Sequence, residues 1–147
     1  MLPSDIEEWL KGNMTAGSAD YLKKAEGEHR ELLSAIGVSL DSELGYFYLH
    51  FGPDSISGGY ELARLQSIPD CTSYAHDELE VAGRFLALSS IEGEGIILYD
   101  TESGAVFDAG LDELDELGVG ELEPAAPTFA SYLRVRMEEW KERETPN

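Results

Sequence analysis

The chain has very few basic residues. Its 147 residues include 10 Lys or Arg against 30 Asp or Glu, a formal net charge of −20. Residues 85–133 contain no Lys or Arg and eleven carboxylates. Such a field repels nucleic acid and anionic membranes, and it attracts basic partners from a distance. We therefore expect a protein partner, with no role for nucleic acid or a membrane, although adaptation to high salt would produce the same acidity.

Cysteine and long apolar runs are also scarce. The single Cys71 cannot form an internal disulfide, which is typical of a protein from a reducing compartment. No run approaches the roughly 18 apolar residues that a membrane-spanning helix needs. The N-terminus lacks the basic-then-apolar order of a signal peptide. These absences predict a soluble cytoplasmic protein, and its charge disfavours self-association through the acidic faces.

Motifs for catalysis are missing as well. The three histidines lie in separate segments without the spacing of zinc ligands, and no Gly-x-Ser-x-Gly elbow is present. The Gly-rich turn at residues 92–95 lacks the P-loop lysine and the third glycine of a dinucleotide fingerprint. The sequence therefore predicts a protein that is not an enzyme and needs no cofactor. A hydrolase that uses two carboxylates is a distant alternative.

One acidic stretch is similar to a calcium-binding loop. Asp100, Glu102 and Gly104 have the composition of such a loop, but its twelfth position is Leu111 where the motif needs a carboxylate. We therefore predict no specific metal site.

Apolar spacing predicts two helices near the N-terminus. Ser4 and Glu7 form a capping-box pattern ahead of a short helix. Ser18 is the expected N-cap of a longer amphipathic helix that Gly37 ends.

Three further helices are predicted from the same signals. An aromatic stripe indicates a helix that starts near Asp41 and ends at Gly52-Pro53. Regularly spaced leucines indicate a short acidic helix over residues 111–117, and Thr128 is the expected N-cap of a final helix.

Short apolar runs separated by Gly- and Asp-rich turns predict a β-meander around residues 84–108. The runs begin at Phe85, Ile96 and Ala105. Because the first two runs are apolar on both faces, we expect central strands that helices cover on at least one side. Between the helices and this meander, we expect a short strand at Tyr60–Leu62 and a mixture of turn and helix over Leu65–Glu80.

These elements predict the α+β class. We expect one domain over residues 1–147, with a mainly antiparallel sheet backed by helices and with N-terminal and C-terminal helices. Its core is expected over about 18–143, followed by a frayed tail at 144–147.

The order of the motifs resembles the SUKH superfamily over roughly residues 28–137. That family shows a Gly-hydrophobic step after a helix, a helix with a Phe-containing stripe, two apolar strands around a Gly-rich turn, a Gly-x-Val motif and a closing helix with Tyr-Leu. The matching positions are Ile36-Gly37-Val38, Phe47, Phe51, Phe85–Ser89, Gly93–Gly95, Ile96–Asp100, Gly104-Ala105-Val106-Phe107, Thr128-Phe129 and Tyr132-Leu133. Asp41 stands where the family usually has Pro, and Gly52-Pro53 replaces its Asn-Gly.

The resemblance implies an α+β domain and, for bacterial members, an immunity protein that binds and silences a toxin. Many such toxins are nucleases, whose substrate grooves are positive. The resemblance also leaves an alternative, a regulatory scaffold or adaptor that binds a host protein in a larger assembly, because the family includes a yeast cell-wall synthesis regulator. It transfers no catalytic residue.

For an immunity protein, the residues expected to contact the partner are exposed carboxylates and two aromatic anchors. They are Asp77, Glu78, Glu80, Glu92, Glu94, Asp112, Glu113, Asp115, Glu116, Tyr60 and Tyr74. Carboxylates would attract the basic partner, and aromatic side chains often dominate binding energy at interface centres. A solvated helix face would explain the 112–116 carboxylates equally well, and burial in the core would explain either tyrosine.

Overall fold

Helices occupy both ends of the chain, and a three-stranded antiparallel sheet lies between them in sequence. The computed structural model describes residues 1–56, 62–91 and 94–144. The elements are α1 (Ser4–Asn13), α2 (Ala16–Ala35), α3 (Glu43–His50), α4 (Ile68–Glu78), β1 (Phe85–Ala87), β2 (Gly95–Asp100), β3 (Val106–Gly110), α5 (Leu114–Gly118) and α6 (Phe129–Glu144). They confirm the predicted α+β class and the antiparallel meander.

Contacts divide the chain into two compact units. We call Met1–Tyr60 with Ala130–Asn147 the helical unit, and Glu61–Phe129 the sheet unit. The prediction of one domain over residues 1–147 stays a prediction. No helix in the described ranges is both long enough and apolar enough to cross a bilayer.

Helix α1 begins at Ser4, but the predicted capping box is wrong. Pro3 is the N-cap residue and no side chain caps this helix. Glu7 accepts a hydrogen bond from the Tyr46 hydroxyl at 2.9 Å instead, and this bond raises the pKa of Tyr46. Ile6 and Leu10 are fully buried, so the core includes α1 and begins before the predicted residue 18.

Helix α2 begins earlier than predicted. Thr15 is its N-cap, because the Thr15 hydroxyl accepts a hydrogen bond from Ser18 N at 3.0 Å. Leu22, Ala25 and Leu33 of the predicted apolar face are buried, whereas Tyr21, which was predicted on the same face, is 51% exposed. The helix ends at Ala35, and Gly37, two residues beyond it, has a φ of 78°, a conformation that glycine adopts readily.

Helix α3 is capped by Ser42, whose hydroxyl accepts a hydrogen bond from Gly45 N at 3.1 Å. Its aromatic stripe is buried as predicted, with Phe47 and Tyr48 inaccessible to solvent. The Glu43 carboxylate accepts a hydrogen bond from Ala130 N at 3.1 Å, which satisfies an amide in the first turn of α6. Two distant segments of the helical unit are thereby joined at their helix starts.

Helix α6 begins directly after Thr128, as predicted, and is still helical at Glu144, the first residue of the predicted frayed tail. Residues 145–147 lie outside the described ranges. In the helical unit, the Arg134 guanidinium donates to both carboxylate oxygens of Asp5, at 2.6 and 3.1 Å. This hydrogen-bonded pair joins α6 to α1 and lowers the pKa of Asp5.

The sheet has the order β1-β2-β3, and each neighbouring pair is antiparallel. The prediction that both of the first two runs are central strands is therefore wrong for β1, which is an edge among the described strands. Just beyond β1, Leu88 O accepts a hydrogen bond from Ala63 N at 2.6 Å. This bond satisfies one backbone group of the segment that follows β1.

One face of the sheet packs against α4 and α5. Ala87, Leu98 and Phe107 lie on that face, and they form a buried cluster with Ala75 of α4 and Leu117 of α5. This confirms the expectation of helices on at least one side.

The structure describes part of the segment before the sheet. Leu65–Glu80 contains a 3₁₀ turn, Leu65–Ser67, followed by α4. The strand predicted at Tyr60–Leu62 falls mostly outside the described residues, and Leu62 itself lies in a bend.

Candidate functional site

The negative charge is concentrated in the sheet unit. Its sequence contains 16 carboxylates and only two basic residues, Arg64 and Arg84, so its formal net charge is −14. Among the residues that the structure describes in this unit, twelve carboxylate side chains are exposed, while Glu113 is half-buried and Asp100 is buried. Most of the charge therefore faces solvent.

Arg84 is already engaged by neighbouring groups. Its Nε lies 3.5 Å from Asp100 Oδ2, and its Nη1 lies 3.4 Å from Glu102 Oε2. The guanidinium also stacks over the Phe85 ring, 4.9 Å from its centroid. Arg84, one of the two cations of the sheet unit, thus makes contacts within that unit. It neutralises little of the exposed acidic surface.

The strand register divides the predicted contact residues between two ends of the sheet. Phe85 pairs with Asp100 at one end, and Gly95 pairs with Gly110 at the other. We call these the Phe85 end and the Gly95 end. Carboxylates that are close in sequence can therefore lie at opposite ends of the sheet.

Asp77, Glu78 and Glu80 lie toward the Phe85 end. Helix α4 runs beside β1, because Thr72 accepts a hydrogen bond from Ala87 N at 3.0 Å and His76 Nε2 lies 2.8 Å from Phe85 O. The C-terminus of α4 is therefore at the Phe85 end. All three carboxylates there are exposed.

Local helix energetics do not explain these three carboxylates. Negative charge near a helix C-terminus opposes the helix dipole, an unfavourable effect of about 0.3–1 kcal/mol per exposed charge. Glu80 also has a φ of 58°, a left-handed conformation that is uncommon for a residue other than glycine. Helix stability alone would favour basic residues and a glycine at these positions.

Glu94 and the acidic segment 112–116 come together at the Gly95 end. Leu111 N donates to Glu94 O at 2.7 Å, which joins the turn before β2 to the segment after β3. Asp112, Asp115 and Glu116 are exposed there.

Glu113 and Glu92 were also predicted to contact the partner, but they are not exposed carboxylates that the structure describes. Glu113 accepts a hydrogen bond from Gly110 N at 2.8 Å, so its carboxylate is held by the fold. Glu92 lies outside the described residues.

Tyr74 is the predicted aromatic anchor that the structure describes; Tyr60 lies outside the described residues. The Tyr74 side chain is 47% exposed, so the alternative of core burial is wrong for it. It lines a cavity of about 350 Å³ near the Gly95 end. The remaining lining residues are Asp70, Cys71, Ser89, Ser90, Ile91 and Ile96.

The sequence does not predict this cavity. It depends on how the first half of α4 packs against the segment after β1, and no local pattern signals that arrangement. Burial, reinforced by the nearby Asp70 carboxylate, raises the pKa of the Cys71 thiol. Cys71 is therefore largely protonated at neutral pH and is a poor nucleophile.

The stretch that is similar to a calcium-binding loop forms a turn in which Asp100 already bonds to neighbouring groups. Asp100 Oδ1 accepts hydrogen bonds from Glu102 N at 2.9 Å and from Ser103 N at 3.4 Å, while Oδ2 faces Arg84. Within residues 1–56, 62–91 and 94–144, no cluster of three or more His, Cys, Asp or Glu side chains is arranged to hold a metal ion.

No protein-family model, curated protein or solved structure matches the chain. The resemblance to the SUKH superfamily therefore rests on the sequence motifs alone, and the functions that it implies stay predictions.

Proposed function

We propose that this chain is a non-catalytic binding protein that recognises a basic protein through the acidic surface of its sheet unit. The resemblance to the SUKH superfamily extends this to an immunity protein that neutralises a cognate toxin, of which a basic nuclease is the expected type. The observation that carries the proposal is the charge of the sheet unit. Twelve exposed carboxylates stand against two cations, and one of those, Arg84, is engaged by Asp100 and Glu102.

The acidic surface suits the substrate groove of a nuclease. Such a groove must be positive to bind phosphates. Carboxylates presented in place of phosphates would occupy it without undergoing reaction. Opposite fields also speed encounter, by about 10- to 1000-fold for focused charge at low salt. Neutralisation would therefore be rapid and stoichiometric, with no turnover.

The Gly95 end is the better candidate for the centre of the interface. It combines the exposed carboxylates of Glu94, Asp112 and Asp115 with the half-exposed ring of Tyr74 and a neighbouring cavity. Interface centres are enriched in aromatic side chains, whereas charge is more common at the rim. Asp77, Glu78 and Glu80, at the Phe85 end, would then act mainly through long-range attraction.

The test is affinity capture of the tagged chain from its own lysate, with and without about 0.5 M salt, followed by mass spectrometry. The proposal predicts one basic partner that salt elutes, and loss of that partner's activity at a 1:1 ratio. Recovery of a constitutive host assembly would support the scaffold alternative. A non-basic partner, or binding that salt does not affect, would contradict recognition through the acidic surface.

A further inference from the structure

The cavity at the Gly95 end has mostly apolar walls. Cys71 and Tyr74 of α4 form one side, and Ile91 and Ile96 contribute to the other. The Ser89 hydroxyl accepts a hydrogen bond from Ile97 N at 2.9 Å, so this polar group is already used by the sheet. The cavity therefore offers apolar contact and few groups that could orient a polar ligand.

One carboxylate lines this cavity, and a second is close in sequence to a lining residue. Asp70, which is exposed, belongs to its lining on α4. Glu94 is exposed two residues before Ile96 in the opposite wall. The basic residues of the sheet unit are only Arg64 and Arg84, and Arg84 is engaged at the far end of the sheet. The cavity therefore favours an apolar group that has positive charge around it.

We propose that this cavity holds one apolar side chain, of the size of Leu, Met or Phe, from a basic segment of the protein partner. The proposal rests on the proposed function and adds the recognition element to it. Lysines and arginines on either side of the apolar residue would face Asp70 and Glu94, while the ring of Tyr74 packs against the inserted side chain. Such an apolar anchor surrounded by polar contacts is typical of binding hot spots.

Two fluorescein-labelled peptides test the proposal. One has the sequence Lys-Arg-Lys-Leu-Lys-Arg-Lys, and the other has Ser in place of Leu. Fluorescence anisotropy at low salt measures the Kd of each. Burial of a leucine side chain predicts that the Leu peptide binds at least about tenfold more tightly.

Cys71 reports directly on occupancy of the cavity, because it is the only cysteine and it lines the wall. Its alkylation by neutral iodoacetamide should slow when the Leu peptide saturates the protein. The Ser peptide at saturation is the reference for this rate, since it brings the same positive charge close to Asp70 and the thiol without a side chain in the cavity.

Two variants test whether the preference for the Leu peptide depends on the cavity. Tyr74→Ser should reduce the preference for the Leu peptide to less than about threefold, because it removes one apolar wall. Val119→Ser is the matched control: Val119 is 71% exposed in the same acidic unit but does not line the cavity, so the preference should persist.

Each outcome decides a different question. Equal Kd values for the two peptides, or alkylation of Cys71 that is as fast with the Leu peptide as with the Ser peptide, would overturn the anchor cavity and leave the acidic-surface proposal standing. Failure of both peptides to bind at low salt would overturn the proposed function itself. The peptide comparison uses the wild-type protein, so it remains decisive even where a variant folds poorly.

Discussion

The same substitution, glycine to alanine, is predicted to have opposite effects in two helices of the helical unit. At Gly27, in the middle of α2, an added Cβ would meet no atom within 4 Å. At Gly45, in the first turn of α3, it would overlap the backbone carbonyl oxygen of Ser39 and lie 3.2 Å from Leu40 Cα. The space around the added Cβ therefore decides whether the substitution stabilises or destabilises the protein.

The magnitudes follow from two opposing effects. Alanine is more favourable than glycine by about 1 kcal/mol in a helix interior, so Gly27→Ala should stabilise by about that amount. At Gly45 overpacking costs about 1–3 kcal/mol, and the upper value applies because backbone atoms must move. After subtracting a propensity gain of at most about 1 kcal/mol, Gly45→Ala should destabilise by about 2 kcal/mol. The two variants should thus differ by about 3 kcal/mol.

Urea unfolding followed by tryptophan fluorescence measures this difference. Trp9 and Trp140 lie with their ring centroids 6.2 Å apart in the helical unit, which also contains both glycines. The unfolding midpoint should rise for Gly27→Ala and fall for Gly45→Ala, with similar slopes. A Gly45→Ala variant as stable as the wild type would refute the close packing of α3 on the segment at Ser39.

Three further predictions concern buried polar groups. Burial lowers the pKa of His29 below its ordinary 6.5, so the unfolded state takes up a proton first as the pH falls. The free energy of unfolding should therefore decrease as the pH falls below about 6.5, and His29→Leu should flatten this dependence between about pH 7.5 and 5.5, as urea titrations at each pH would show. Asp100→Ala should lower stability by about 1–3 kcal/mol in thermal unfolding, because it removes the acceptor of two turn amides and a partner of Arg84. Ser89→Ala should cost a similar amount, about 1–3 kcal/mol, and should speed hydrogen exchange at the Ile97 amide, which loses its acceptor; an unchanged exchange rate there would contradict the bond.

Elements with a strong local signal could be predicted from the sequence. The meander followed from apolar runs between Gly- and Asp-rich turns, and the buried face of α2 followed from the spacing of its apolar residues. These signals act within a few residues of each other, so the local chain carries them. The α+β class could be predicted for the same reason.

Features that depend on distant partners could not be predicted. The pattern of Ser4 and Glu7 indicates a capping box, but the Glu7 carboxylate is used by Tyr46, 39 residues away. The apolar run of β1 indicated a central strand, although β1 is an edge among the described strands. An edge strand can be apolar on both faces when both are buried, and no residue type marks the difference.

The candidate site also combines features that the sequence predicts with features that depend on distant contacts. Composition alone indicated an acidic surface, and the exposed carboxylates of the sheet unit agree with it. The strand register, however, separates Glu78 from Glu94 by placing them toward opposite ends of the sheet. The cavity beside Tyr74 arises only when α4 packs next to the segment after β1.

Charge reversal tests most directly the claim that the acidic surface of the sheet unit binds a basic partner. The triple variant Asp112→Lys, Asp115→Lys, Glu116→Lys changes the Gly95 end. A control with the same change in net charge carries Asp20→Lys, Glu28→Lys and Glu31→Lys, three exposed positions of α2 in the helical unit. The measurement is the association rate constant with the captured partner at low salt, from stopped-flow fluorescence.

Local attraction predicts that the triple variant at the Gly95 end associates about tenfold more slowly or worse, with a weaker dependence on salt. The α2 control should stay within about threefold of the wild type, since its charges belong to the helical unit and not to the acidic surface of the sheet unit. Equal slowing of both variants would show that only net charge matters, and unchanged rates for both would remove the 112–116 carboxylates from the interface. Either result would contradict recognition centred on this surface.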